Sequence, residues 1–282
     1  MTHSRRDIVE LLETHGLSPR RAFGQNFVAD PNTVRRIARL SDVGPGDHVV
    51  EIGAGLGSLT LALAETGADV TAIEVDHGIA PVLRDVLRDR PEIDVIVNDA
   101  REVDWNAIPP PGADLVVVAN LPYNVATPLV ADLLDQVPRV RRFVVMVQKE
   151  VAQRLAASPG SPEYGGISVK VSYWATARVL GDVPPTVFVP RPKVTSAIIE
   201  IVRRDEPAVA SDRAVLFSLV RTAFGQRRKM LRRSLHALVT EDQFASAGIE
   251  STRRPEELDV FDWGRLTDVI TSSGDRGARH AS

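Results

Sequence analysis

The chain has 282 residues, 44% of them hydrophobic, and a formal net charge of −3, a size and balance that suit one large globular domain with a small companion. It holds no cysteine, which excludes disulfides and thiolate metal sites; its six histidines are scattered without the paired spacing of metal ligands, so no metal is expected. No apolar run approaches the ~20 residues of a membrane span, and the stretch MTHSRRDIVELLETHG carries charges where a secretory leader needs apolar residues. A cytoplasmic protein away from membranes is expected.

In chain order, a helix is predicted from Arg5 to about His15, ended by Gly16. Ala22–Val28 reads as a loop, and Asp30 caps a second helix opened by Pro31. Strands follow at His48–Ile52, Val70–Glu74, Asp94–Val97, Leu115–Ala119 and Phe143–Val147, separated by helical stretches at Ser58–Glu65, Ile79–Leu87 and Pro128–Gln136. Short apolar strands alternating with amphipathic helices imply a parallel sheet covered on both faces, the doubly wound, Rossmann-like α/β class. Strand-like segments recur at Ala177–Leu180 and Ser196–Val202, and residues 203–212 read as a linker. Helices at Ala214–Phe224, Arg227–Leu238, Glu241–Ala247 and Trp263–Ile270 make a small all-helical C-terminal domain. The expected division is a catalytic domain over 1–204, a helical domain over 205–272 and a disordered tail over 273–282.

The slight negative net charge hides local basic stretches. Arg221–Arg233 carries Arg221, Arg227, Arg228, Lys229, Arg232 and Arg233 with no acidic residue, and smaller groups lie at Arg20-Arg21 and at Arg139, Arg141 and Arg142. The long stretch lacks acidic partners at helical spacing, which favours a phosphate-binding face over a solvated helix surface.

Three strand ends carry the chemistry of a nucleoside pocket. The first strand runs into Glu51-Ile-Gly-Ala-Gly-Leu-Gly57, where Gly53 and Gly55 let backbone approach a ligand closely. The G-x-G-x-G spacing differs from the dinucleotide fingerprint and argues against a nicotinamide-dependent oxidoreductase. Glu74 at the end of the second strand can accept both ribose hydroxyls, and Asp99 at the end of the third can accept an adenine amino group. The fourth strand runs into Asn120-Leu-Pro-Tyr123. The exocyclic nitrogen of adenine is a poor nucleophile because its lone pair is delocalised. Two acceptors, the Asn120 side-chain oxygen and the Leu121 carbonyl held by Pro122, can draw it toward tetrahedral geometry, while Tyr123 stacks on the base. Phe188 is a candidate for the opposite face of the base, and Arg191 and Lys193, in the same proline-stiffened loop, can meet phosphates.

In order and spacing these motifs resemble the ribosomal RNA adenine dimethyltransferases, most closely the KsgA type that acts on small-subunit 16S rRNA. The resemblance rests on Phe23-Gly-Gln-Asn-Phe-Val28, Glu51–Gly57, Glu74, Asp99, Asn120–Tyr123, Gln148-Lys-Glu150, Phe188–Val194 and Phe224–Leu231, and it spans Arg20 to about Ile270. It implies an S-adenosyl-L-methionine cofactor contacted by Asn26, Val28, Gly53, Glu74, Asp99 and Asn120. It also implies dimethylation of two adjacent adenosines in a 3′-terminal hairpin loop of 16S rRNA, with the C-terminal helices recognising RNA. Val28 stands where the family usually has leucine, which a backbone contact tolerates. A monomer is sufficient. The alternatives are a 23S rRNA dimethyltransferase of the antibiotic-resistance type, and a ribosome-assembly RNA-binding factor with a vestigial site.

Overall fold

The computed structural model describes residues 2–20 and 24–279, of which 274–279 by backbone alone. Arg21, Ala22 and Phe23, all named above, lie outside the described residues. Helix α1 (Arg5–Thr14) starts on Ser4: the Ser4 hydroxyl accepts from the Asp7 N–H and the Asp7 carboxylate from the Ser4 N–H, satisfying two otherwise orphaned donors. A two-residue strand β1 (Phe27–Val28) precedes α2 (Pro31–Ser41), which Asp30 caps as expected by accepting from the Thr33 N–H at 2.9 Å.

The predicted alternation then appears as β2 (His48–Ile52), α3 (Ser58–Ala64), β3 (Asp69–Glu74), α4 (Ala80–Val86), β4 (Asp94–Val97), β5 (Leu115–Asn120), α5 (Ala126–Gln136) and β6 (Val140–Gln148). After it come α6 (Lys149–Leu155), α7 (Gly166–Trp174), β7 (Ala175–Val183), β8 (Phe188–Val189) and β9 (Ser196–Arg203). The chain closes with α8 (Arg213–Phe224), α9 (Leu231–Ser234), α10 (Glu241–Ser246) and α11 (Val260–Arg279).

The main sheet has the order β4-β3-β2-β5-β6-β9-β7, and β1 pairs with β8 in a separate antiparallel ribbon. Strands β2 to β6 run parallel to their neighbours, whereas β9 lies antiparallel to β6. From β2 the chain proceeds outward through β3 and β4, then returns to place β5 on the other flank of β2. The order therefore reverses between β2 and β5, and a crevice opens at their carboxyl ends, where Gly53 and Asn120 stand. Buried Val49, Val118, Val144, Met146 and Ile198, from β2, β5, β6 and β9, form the central core with Ile37, Leu59, Leu63 and Leu83 of the flanking helices.

The chain divides into two compact units, residues 1–152 with 177–203, and residues 153–176 with 204–282. The catalytic domain expected over 1–204 thus loses 153–176 to the helical unit. The reason is apolar: Tyr164, Val169 and Tyr173 are buried in one cluster with Leu216, Leu219, Phe244, Trp263 and Leu266. The predicted helix Arg227–Leu238 shrinks to α9. Residues 225–228 form turns, and the N–H groups of Leu231 and Arg232 donate to the carbonyls of Arg253 and Ser251 at 2.8 and 2.9 Å. Helix α11 continues to Arg279, through most of the segment expected to be a disordered tail; residues 280–282 lie outside the described ones.

Candidate active site

The loop between β2 and α3 is built on left-handed backbone. Gly53, Gly55 and Gly57 have φ of 76°, 57° and 83°, angles that side chains rarely tolerate. At Gly55 space is also short: a Cβ would lie 3.1 Å from the Phe27 ring. The Gly55 N–H donates to Glu74 Oε2 at 2.7 Å, and the Asp76 N–H donates to Glu74 Oε1 at 2.8 Å. The Glu74 carboxylate is 5% exposed and burial raises its pKa, offset in part by the two N–H bonds. Glu51 points into the same region. It accepts from the Thr60 hydroxyl at 2.5 Å, and burial pushes its pKa up to about 8, so at neutral pH it is a protonated acid.

Asn120, the last residue of β5, donates from Nδ2 to the Asn26 carbonyl at 2.9 Å. A carbonyl can only accept, so this bond fixes which end of the amide is which and leaves Oδ1 as an acceptor. The Leu121 N–H donates to the Met146 carbonyl at 3.0 Å, which seats the following peptide at the edge of the sheet. The Tyr123 hydroxyl pairs with Ser196 Oγ at 2.8 Å, and partial burial raises its pKa.

Two adjoining cavities share Gly53, Val75 and Pro122. Asn26, Val28, Gly55, Glu74, Asn120, Leu121 and Tyr123 line the first, together with Ile8 of α1. Asp99 lines the second, beside Asn98, Ala100 and Arg101. Ser58 lines the first cavity with a buried hydroxyl that has no hydrogen-bond partner. A polar ligand would answer that unmet need. The crevice presents Asn26, Glu74 and Asn120 in one cavity and Asp99 in the other, beside apolar walls.

A family model described as ribosomal RNA adenine dimethylase matches residues 16–272. The chain belongs to the ribosomal RNA adenine dimethylase family. It is 44% identical, over 95% of its length and 94% of the relative's, to a protein of Bifidobacterium longum subsp. infantis named ribosomal RNA small subunit methyltransferase A. Among solved structures it is similar to a dimethyladenosine transferase from Plasmodium falciparum (TM-score 0.75, 22% identity, 87% and 97% of the two chains). It is also similar to the 23S rRNA methyltransferase ErmE (TM-score 0.68, 26% identity, 87% and 100%). As an rRNA adenine dimethyltransferase it takes S-adenosyl-L-methionine as cofactor. Among the described residues no cluster could hold a metal ion, and no helix is long and apolar enough to cross a membrane.

The dimethylase fold corrects several sequence expectations. Phe188 was expected to cover the target base, but its ring is fully buried in the central core and lines neither cavity; on β8 it pairs with Val28 of β1 and packs inward. Asp99 is at the expected strand end, yet its carboxylate is held by Arg101 at 2.6 Å, whose hydrogen bonds lower its pKa. Arg227 does not project freely: it donates to the Pro162 carbonyl at 2.7 Å and lies 3.9 Å from Glu256. Arg221, Arg228, Lys229, Arg232 and Arg233 are exposed, as are Arg191 and Lys193. Three arginines of the smaller basic groups serve structure. Arg20 pairs with Asp76, Arg142 with Glu200, and Arg139 donates to the carbonyls of Trp105, Asn106, Ile108, Pro110 and Ala113.

Some neighbours carried no sequence signal. Ile8 and Ser196 reach the site from distant segments, and only tertiary contacts identify them.

Proposed function

We propose that this enzyme dimethylates N6 of two adjacent adenosines in the 3′-terminal hairpin loop of 16S rRNA, as a late step of small-subunit assembly. The named relative, matched at 44% identity over nearly its full length, supports the small-subunit substrate; the 23S enzyme ErmE is more distant, at 26%. We assign Asn26, Val28, Gly53, Gly55, Glu74, Asp99 and Asn120 to the cofactor, which supplies a methyl group on a sulfonium. Asn120, Leu121, Pro122 and Tyr123 act on the target adenine. Exposed Arg191 and Lys193 on one unit, and Arg221, Arg228, Lys229, Arg232 and Arg233 on the other, contact RNA phosphates. We take the active form to be a monomer.

One observation carries the mechanism: the Asn120 amide is locked by the Asn26 carbonyl with Oδ1 left to accept. Oδ1 and the Leu121 carbonyl take the two amino hydrogens and pull the nitrogen out of conjugation with the ring. When bound, the cofactor would supply the methyl group, its positive charge passing to the attacking nitrogen, which then loses a proton to solvent; positioning, rather than a strong base, would supply the rate. Tyr123, steadied by Ser196, stacks on the extruded base. Asn120→Ala is expected to lower turnover by about 10²-fold or more while small-subunit RNA binding persists. An unchanged rate would remove this mechanism. Methyl transfer to large-subunit RNA alone, in parallel assays, would instead reassign the substrate.

A further inference from the structure

The Asp76 carboxyl group, 3% exposed, is not one of the cofactor contacts assigned above, yet it joins two segments around the site, residues 20–25 and 74–78. Its Oδ1 accepts from the Gly78 N–H at 2.9 Å and from Arg20 Nη1 at 3.3 Å. Its Oδ2 accepts from Gln25 Nε2 at 2.9 Å. Its own N–H holds Glu74 Oε1 at 2.8 Å. Gln25 in turn accepts the Arg20 N–H on Oε1 at 2.7 Å. The next residue, Asn26, supplies the carbonyl that orients Asn120. The loop also presses on Pro122: a Cβ on Gly24 would meet Pro122 Cβ at 3.2 Å and Asn124 Oδ1 at 3.0 Å. A continuous chain of hydrogen bonds and covalent links thus runs Glu74–Asp76–Gln25–Asn26–Asn120, from the ribose carboxylate to the amine acceptor.

We propose that Asp76 and Gln25 are positioning residues that hold the Asn120 amide for the second methyl transfer to each adenine. The inference rests on the dimethylation reading above. Unmethylated adenine presents two N–H bonds to two acceptors, so one acceptor can be loose and the amine remains anchored by the other. After the first transfer the nitrogen carries one hydrogen and one methyl, and a single hydrogen bond sets its attitude. An amide free to rotate then admits the methyl in the wrong orientation. Loss of the latch should therefore slow the second transfer more than the first, because a misplacement of even ~1 Å can cost about 10²-fold in rate.

The test is an exchange of hydrogen-bond polarity. Gln25→Glu keeps the acceptor for the Arg20 N–H but sets an acceptor against Asp76. Asp76→Asn together with Gln25→Glu restores a donor–acceptor pair, with the direction reversed. Products on small-subunit particles are resolved by mass spectrometry into monomethyl and dimethyl adenosine over time. With Gln25→Glu the ratio of second to first transfer rate is expected to fall about tenfold or more, with monomethyl adenosine accumulating, and the double exchange is expected to bring dimethyl product back. A fall of both rates in equal proportion, or no recovery in the double exchange, would overturn the inference. A wild-type chain that stops at monomethyl adenosine would sink the dimethylation reading itself, and this inference with it.

Discussion

Replacing Gly55 by alanine tests the glycine cradle directly. At φ 57° a residue with a Cβ pays about 1–2 kcal/mol for left-handed backbone. The added methyl would also stand 3.1 and 3.2 Å from two atoms of the Phe27 ring, so the loop or β1 must yield by a few tenths of an ångström. The bond most exposed to that shift is the 2.7 Å donation from the Gly55 N–H to Glu74, and a hydrogen bond to such a group contributes about 1.5–3 kcal/mol. If half to all of that is lost from the bound state, about 0.75–3 kcal/mol, affinity for S-adenosylmethionine falls about 4- to 150-fold. Calorimetric titration with S-adenosylmethionine and with its demethylated product reads the change, and a drop of several degrees in the thermal midpoint should accompany it. An unaltered dissociation constant would refute the argument, because it would mean that Glu74 is held independently of Gly55.

Three further outcomes follow from the structure. Glu51 has its pKa raised to about 8 from 4.5, so the folded chain keeps a proton that the unfolded chain releases. Its contribution to stability is complete below about pH 4.5 and lost as pH rises toward 8. Urea unfolding at several pH values should show a shallower decline for Glu51→Gln, and an identical pH profile would mean that Glu51 is ionised in the fold. Arg203 is 8% exposed and donates to the carbonyls of Leu133, Leu134, Val137 and Val140. Arg203→Met should cost about 3 kcal/mol or more by orphaning them, read as a lower unfolding midpoint; a loss below about 1 kcal/mol would contradict this. Neutralising Arg228, Lys229, Arg232 and Arg233 should flatten the log–log salt dependence of RNA binding by about 3 units. Arg227, already engaged by Pro162 and Glu256, should add little, and an unchanged slope for the four would assign them to solubility.

The sequence by itself determined the α/β alternation, because strands buried on both faces must be nearly continuous apolar runs, as in Leu115-Val-Val-Val-Ala119. It also determined the Asp30 cap and the glycine turn, which follow from local backbone chemistry, and it placed Gly53, Glu74, Asp99 and Asn120 at strand ends that the topology gathers into one crevice. Only tertiary structure decided the rest. Phe188 looks in sequence like any exposed loop aromatic, and the pairing of β8 with β1 is what turns it inward. The basic run at Arg227 reads as a helix until long-range bonds to Ser251 and Arg253 claim its backbone. Residues 153–176 join the helical unit through apolar contacts with partners far along the chain, as Tyr164 and Tyr173 do with Leu216, Phe244 and Trp263. In each case the deciding energy is burial or hydrogen bonding between segments remote in the chain, which no local pattern encodes.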